Sequence, residues 1–454
     1  MIMRPTKITN HQEELFRNRL SNQLNPRHEL LQLSKMIPWD SMEEEFAKIF
    51  DEKQAVGRPA RPVRLVVGLL LLQHMHNLSD ENVVRMWVEN AYWQYFCGYD
   101  HLQWKLPIDS SSLTRWRKRL GAERIEKILS MTVEVAVNSG FIAKKDLENV
   151  IVDTTVMPKN IEFPTDIKLL EKARIEMVKL AKKHEVTLRQ NYNLVAKKEL
   201  RKIGGYLHAK QMKRARKAIK HFKTLVGRVR RDCERQIVGN EFLNKVFSPI
   251  LTQSNHLLTR TLNDKNKLYS LHEPDVVCIS KGKARQRYEF GCKVSLGITH
   301  KKGAGIVVTA KALLGNPYDG HTLHDTLASA ASITGIAATK AFVDKGYKGH
   351  EATDCTVFIS GQRRGVTSAI KKQMKRRQAI EPHIGHLKNE GKLGLCRLKG
   401  FVGDQINALL CGASYNLKQI LRHLRVLLFQ ILGLIFFTNS SFKINRCDTG
   451  ANYS

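Results

Sequence analysis

Val150-Ile151-Val152-Asp153 decides how this chain is read: a short apolar run ending in an acid, the pattern of a buried strand with a carboxylate at its tip. The pattern returns at Lys340-Ala341-Phe342-Val343-Asp344. Tyr288 to Thr299 alternates, with Phe290, Cys292, Val294, Leu296 and Ile298 facing one way and Lys293 and Ser295 the other. A second such strand is predicted from Ile306 to Leu314, a helix from His321 to about Ser332, and a further strand from Cys355 to Ile359. A mostly helical stretch follows from Val366 past Glu381. The order is that of a mixed α/β sheet with helices on its faces.

In open α/β sheets the carboxyl ends of strands line the crevice where ligands bind. Asp153 and Asp344 are therefore expected at one crevice. Glu381, in the helix-like segment Arg376-Arg377-Gln378-Ala379-Ile380-Glu381, is close enough in sequence to return to it. Carboxylates that converge without His or Cys suit hard ions such as Mg²⁺. Two such ions clamp the attacking and leaving oxygens of a phosphodiester in line. A lone Asp after a strand is also a common turn or cap residue, so pattern alone leaves each acid open.

Upstream, the sequence predicts several helices. Gly57-Arg58-Pro59-Ala60-Arg61-Pro62 is a stiff basic lead-in, and Arg64 to Asn77 carries Leu65, Leu69, Leu72 and His76 at helical spacing. Leu78-Ser79-Asp80-Glu81 reads as a helix start, with Ser79 as cap. A third helix, from Asp109-Ser110 to Gly121, turns Leu113, Trp116 and Leu120 inward and is expected to present Arg115, Arg117, Lys118 and Arg119 to DNA. The alternative is a bundle with a solvated charged face.

From Leu169 to about Leu271 strand patterns vanish, and Leu200 to Arg231 holds twelve Lys or Arg and no acid. A merely solvated helix carries opposite charges at helical spacing, so this one-signed run favours phosphate contact, with Lys213, Arg214, Arg216 and Lys217 as candidates. Over the 454 residues, 75 Lys and Arg against 42 acids leave +33, a balance suited to a polyanionic partner. The eight cysteines form no CxxC pair, which excludes the usual zinc-ribbon spacing and suits reduced thiols in a cytosol. No signal peptide is expected at the polar start, and the apolar run Val426 to Phe437 is too short to span a bilayer.

Further motifs carry a resemblance over nearly the whole chain. Asn77-Leu78-Ser79-Asp80-Glu81, Tyr92-Trp93-Gln94-Tyr95-Phe96-Cys97-Gly98 and Asp109 to Arg117 precede Val152-Asp153-Thr154-Thr155. Then come Gly315-Asn316-Pro317-Tyr318-Asp319-Gly320-His321-Thr322-Leu323, Asp344-Lys345-Gly346-Tyr347-Lys348-Gly349, and Arg377 to Lys388. The chain resembles the DDE transposases of bacterial insertion sequences, the insertion sequence 5 type, with an RNase H-like catalytic domain. In the wider superfamily a Tyr, an Arg three later, a Glu four after that and a Lys seven further on form the last block. Arg377, Glu381 and Lys388 keep that spacing, but Met374 stands at the Tyr position and Pro382 follows the Glu.

The resemblance implies that Asp153, Asp344 and Glu381 ligate two Mg²⁺ ions, for which Mn²⁺ can substitute, and that Arg377 and Lys388 hold the DNA backbone. It makes Tyr347 a candidate either for stacking on a displaced base or for simply covering the strand end, with Asp319 and His321 read as turn and cap residues. The expected organisation is a helical DNA-binding module over 1–140, the RNase H-like domain over 145–165 and 275–425, a basic helical insertion over 166–274, and a tail over 426–454. Double-stranded DNA (terminal inverted repeats and target), a homodimer on that DNA, no membrane and a bacterial cytoplasm complete the expectation. The competing readings are a plain metal-dependent nuclease and a non-catalytic DNA-binding remnant that represses.

Overall fold

A computed structural model describes residues 18–48, 60–261, 263–280 and 287–444, with side chains omitted from 427 on. Gly57 to Pro59, within the basic lead-in, and the end of the tail lie outside the described residues, as do the side chains of most of the Val426–Phe437 run.

The chain divides into two compact units, one of residues 1–157, 293–313 and 317–454 and the other of 158–292 and 314–316. The first begins with helices α1 (Leu20–Gln23), α2 (Glu29–Met36), α3 (Trp39–Ala47), α4 (Val63–Met75), α5 (Asp80–Glu89), α6 (Ala91–Phe96) and α7 (Ser110–Asn138). Ser79 caps α5 by accepting from the Asn82 N–H at 3.1 Å, and Asp109 caps α7 by accepting from Ser111. At Gly121 the backbone of α7 leaves the helix at φ 65°, ψ −178°, a region essentially reserved for glycine, and then resumes. The expected end at Gly121 is therefore a kink. The single apolar face expected of α4 is also exceeded: every residue from Val63 to Met75 except Arg64 is buried. A helix apolar all round belongs in a core.

The sheet of this unit follows as β1 (Asn149–Pro158), then, after the second unit's α8 (Asp166–Lys183), α9 (Asn193–His208), α10 (Met212–Gln236), α11 (Glu241–Thr259) and β2 (Val277–Ser280), as β3 (Tyr288–Thr299) and β4 (Val307–Leu313). Then come α12 (Asp319–Thr334), β5 (Lys340–Val343), β6 (Thr356–Ile359), α13 (Ser368–Lys375), α14 (Ile380–Asn389) and α15 (Gly400–Ile444). β3 pairs antiparallel with β4 through Lys293–Ile298, and β1, β5 and β6 run parallel, giving the order β4-β3-β1-β5-β6. β1, β3, β4 and β5 are buried along most of their length, with α7, α12 and α15 packed against β4, while the edge strand β6 keeps Thr356 exposed.

One continuous core runs through this unit, from Leu33 and Leu69 of the first helices through Val150 and Val152 of β1 to Leu409 and Ile420 of α15. The boundary expected at residue 140 is thus not a break in packing. The second unit has its own core, with Leu170, Met177, Phe222, Val226 and Phe247 buried among α8, α10 and α11. β2, which the sequence did not signal, pairs antiparallel with Tyr288–Gly291 in this unit.

Candidate functional site

The parallel register of β1 and β5 runs Asn149 to Lys340, Val150 to Ala341 and Ile151 to Phe342. The pairing ends there and β5 ends at Val343, so Asp153, two residues on in β1, and Asp344, just past β5, lie beyond the carboxyl end of the same paired segment. Neighbouring strands lie about 4.8 Å apart and residues level on them face the same side. The strand continues past Asp153 to Pro158, so this acid sits within a strand and not at its tip. Asp344 does end its strand: its carboxylate caps the following turn by accepting from the Lys345 N–H. Asp153 Oδ1 accepts from the Thr154 N–H at 2.8 Å, and Oδ2 lies 3.9 Å from the Arg377 guanidinium.

A third acid joins them. Asp319, the first residue of α12, takes the Lys293 ammonium on Oδ1 at 2.6 Å and the Thr154 hydroxyl on the same oxygen at 3.0 Å. Lys293 also donates to the Pro317 carbonyl at 2.7 Å. Asp319 is thus more than the turn residue expected. Tyr347 is fully buried, which corrects its candidacy for stacking on a base. Its hydroxyl has no hydrogen-bond partner, and its pKa is pushed up by burial first, then by the charges of Asp153, Asp319 and Asp344.

Arg377 reaches Asp153 from a 3-10 turn, Arg376–Ala379, that runs straight into α14. The segment is anchored by α13, whose Gln373 carbonyl is 2.8 Å from His300 Nε2, with the His300 ring stacked on Phe342. Glu381 is exposed and lies four residues after Arg377, one helical turn along. Pro382 falls in the first turn of α14, where its missing N–H leaves no bond unmade. Lys388 sits partly exposed in the last turn of α14. His383 is turned away from the acids to the Tyr415 hydroxyl, and burial pulls its pKa down to about 4. Among the described residues, no three His, Cys, Asp or Glu side chains already stand close enough to hold a metal ion.

Beside Arg377 opens a cleft of about 470 Å³ lined by Arg363, Lys371, Lys375, Gln362 and Gln378 over Val366 and Met374. Met374, at the superfamily's Tyr position, therefore adds apolar wall where a hydroxyl would stand.

The other expected contacts divide. On α7, Arg115 and Lys118 are exposed and Arg119 lies partly exposed over Trp116. Arg117 corrects the expectation: it is 4% exposed, donates to both Asp80 oxygens at 2.8 and 2.6 Å and to Gln73 at 2.7 Å, and locks α7 to α4 and α5. His321 lies on the surface against Tyr318. In the second unit, Ala215, Ala218, Phe222, Val226, Val229 and Cys233 form the buried stripe of α10. Lys213, Arg214, Arg216 and Lys217 lie exposed on its outer side with no ion pair among the described residues.

Lys293 and Thr154 were missed as site residues. Lys293 alternates with an apolar face, which reads as solvent-facing; the usable signal was that a strand covered on both faces must pair any charge it carries. Among the described residues, no helix is long and apolar enough to cross a membrane.

Comparison with known proteins adds the family. Residues 18–119 match a family described as "Transposase domain (DUF772)". The chain is 46% identical over 209 residues to "Uncharacterized protein ORF8 in nfe locus" of Rhizobium meliloti, covering all of that protein and 46% of this one. No solved structure matches. With the relative covered from end to end and the transposase domain at its N-terminal side, the chain belongs to a transposase family.

Proposed function

We propose that this protein is a DDE transposase that cleaves and joins DNA strands at the ends of an insertion sequence by a two-metal mechanism. The observation that carries the reading is the parallel pairing of β1 with β5, beyond whose last pair, Ile151 and Phe342, both Asp153 and Asp344 follow two residues on. The mixed sheet, an antiparallel hairpin beside three parallel strands, supports an RNase H-like catalytic domain. The candidate donors are oxygens only, which fits hard divalent ions, and the buried Tyr347 hydroxyl, three residues after Asp344, is left without a hydrogen-bond partner.

Asp153, Asp344 and Glu381 would hold two Mg²⁺ or Mn²⁺ ions. Such a pair, when bound, activates the attacking oxygen and stabilises the leaving one. Arg377, 3.9 Å from Asp153, would be placed to take a phosphate oxygen of the cut strand. The basic cleft beside Arg377 guides the backbone onward, with Lys388 as a second phosphate contact. Arg115, Lys118 and Arg119, and in the other unit Lys213, Arg214, Arg216 and Lys217, serve phosphate or base contact to the terminal repeats and target. The protein acts on double-stranded DNA as a homodimer in a bacterial cytoplasm.

The test incubates the full chain with its own element's ends, a target plasmid and Mg²⁺. Cleavage followed by joining is expected; cleavage without joining would leave a plain nuclease, and binding without cleavage a repressor-like remnant.

A further inference from the structure

Asp153, Asp344 and Asp319 each have a partner within the chain: Arg377 at 3.9 Å for Asp153, the Lys345 N–H for Asp344, and the Lys293 ammonium at 2.6 Å for Asp319. In the last contact the Lys293 side chain is 8% exposed and the Asp319 side chain 28%. Thr154, the residue after Asp153, donates its hydroxyl to the same Asp319 oxygen. The other oxygen, Oδ2, is 3.3 Å from where a Cβ on Gly346 would lie, two residues after Asp344. Asp319 is therefore wedged between the two chain segments that carry the paired acids. Glycine at 346 leaves that oxygen room.

A structural ion pair would need none of this. An ammonium fixed on a sheet beside a cluster of carboxylates opposes the entry of a divalent cation, because like charges at short range repel strongly where water is scarce. We propose that Asp319 is a further carboxylate of the site and that Lys293 is its resident counter-cation, a positioning residue that sets how tightly the site takes a divalent ion. In the ion-free protein Lys293 holds Asp319 against Thr154 and limits repulsion with Asp153 and Asp344. With a divalent ion bound, Lys293 would continue to hold Asp319 through Oδ1. This rests on the reading of Asp153 and Asp344 as cation ligands.

The experiment titrates Mn²⁺ into the DNA-free full chain and follows binding by calorimetry. Lys293→Gln should bind Mn²⁺ at least about tenfold more tightly, the effect of removing a unit charge about 6 Å from a divalent ion even when screened as in bulk water. Asp319→Asn, which leaves the ammonium unbalanced, should weaken binding by a similar factor, and Lys293→Arg should restore nearly wild-type affinity. Unchanged Mn²⁺ affinity in both Lys293→Gln and Asp319→Asn overturns the proposal and makes the pair purely structural. Should Lys293→Gln fail to fold, Asp319→Asn and Lys293→Arg decide alone. Wild-type protein that binds no Mn²⁺, or binds it equally well as Asp153→Asn, would instead overturn the cation-site reading itself.

Discussion

Replacing Arg117 by Ala separates a structural lock from a DNA contact, because the two roles predict opposite readouts. The guanidinium is 4% exposed and makes three short hydrogen bonds, two to Asp80 and one to Gln73. Removing one partner of a buried ion pair costs about 3–5 kcal/mol, chiefly because the other charge is left uncompensated. Asp80 keeps 22% of its side-chain exposure and can recruit water, which sets the expected loss at the lower end, about 3 kcal/mol. The loss should appear in urea unfolding as a lower midpoint. It should also depend on pH. Burial pulls the Asp80 pKa up, but the hydrogen bonds and charge of Arg117 and the bond from Gln73 outweigh it, and the net shift is downward. A carboxyl with a depressed folded pKa contributes stability above its unfolded value, near 4, and loses it as pH falls through the folded value. The wild type should therefore lose part of its stability below about pH 4, and Arg117→Ala should lose less there. DNA affinity per folded molecule should be unchanged. A variant within about 0.5 kcal/mol of wild type, the range of ordinary surface changes, but with weakened DNA binding would refute the assignment.

Asp153→Asn and Glu381→Gln should each abolish strand cleavage while gel-shift affinity for DNA persists; cleavage retained by Glu381→Gln would pass the ligand role to Asp319. Replacing Lys213, Arg214, Arg216 and Lys217 together with Gln should weaken binding to all duplexes alike and flatten the salt dependence by about one per lost contact, whereas an unchanged slope leaves α10 a solvated face. A fragment of residues 1–140 should fail to give cooperative unfolding or protease resistance, since its core is completed by β1 and α15; a stable fragment would restore the separate module. Gly121→Ala should cost about 1–3 kcal/mol by thermal unfolding, because its φ of 65° with ψ of −178° suits only glycine; no loss would mean the kink relaxes.

Local chemistry carried much of this protein's reading. The strands around Asp153 and Asp344, the caps at Ser79 and Asp109, the helical insertion with its one-signed run and the net charge of +33 follow from periodicity, turn residues and composition. Each of these depends on residues a few positions apart. What depends on distant residues was decided only by the tertiary structure. Helices over both faces of the sheet turn Lys293 from an apparent surface lysine into the buried partner of Asp319, and the packing of α7 on α4 and α5 turns Arg117 from an apparent DNA contact into an internal clamp. Strand pairing, which no single strand encodes, brings the β1 segment before Asp153 beside the β5 segment before Asp344 across nearly two hundred residues of chain. Burial in the same core removes Tyr347 from any base. A charged or aromatic side chain has the same local signature on a surface as in a core, and only the elements that cover it determine which of the two it becomes.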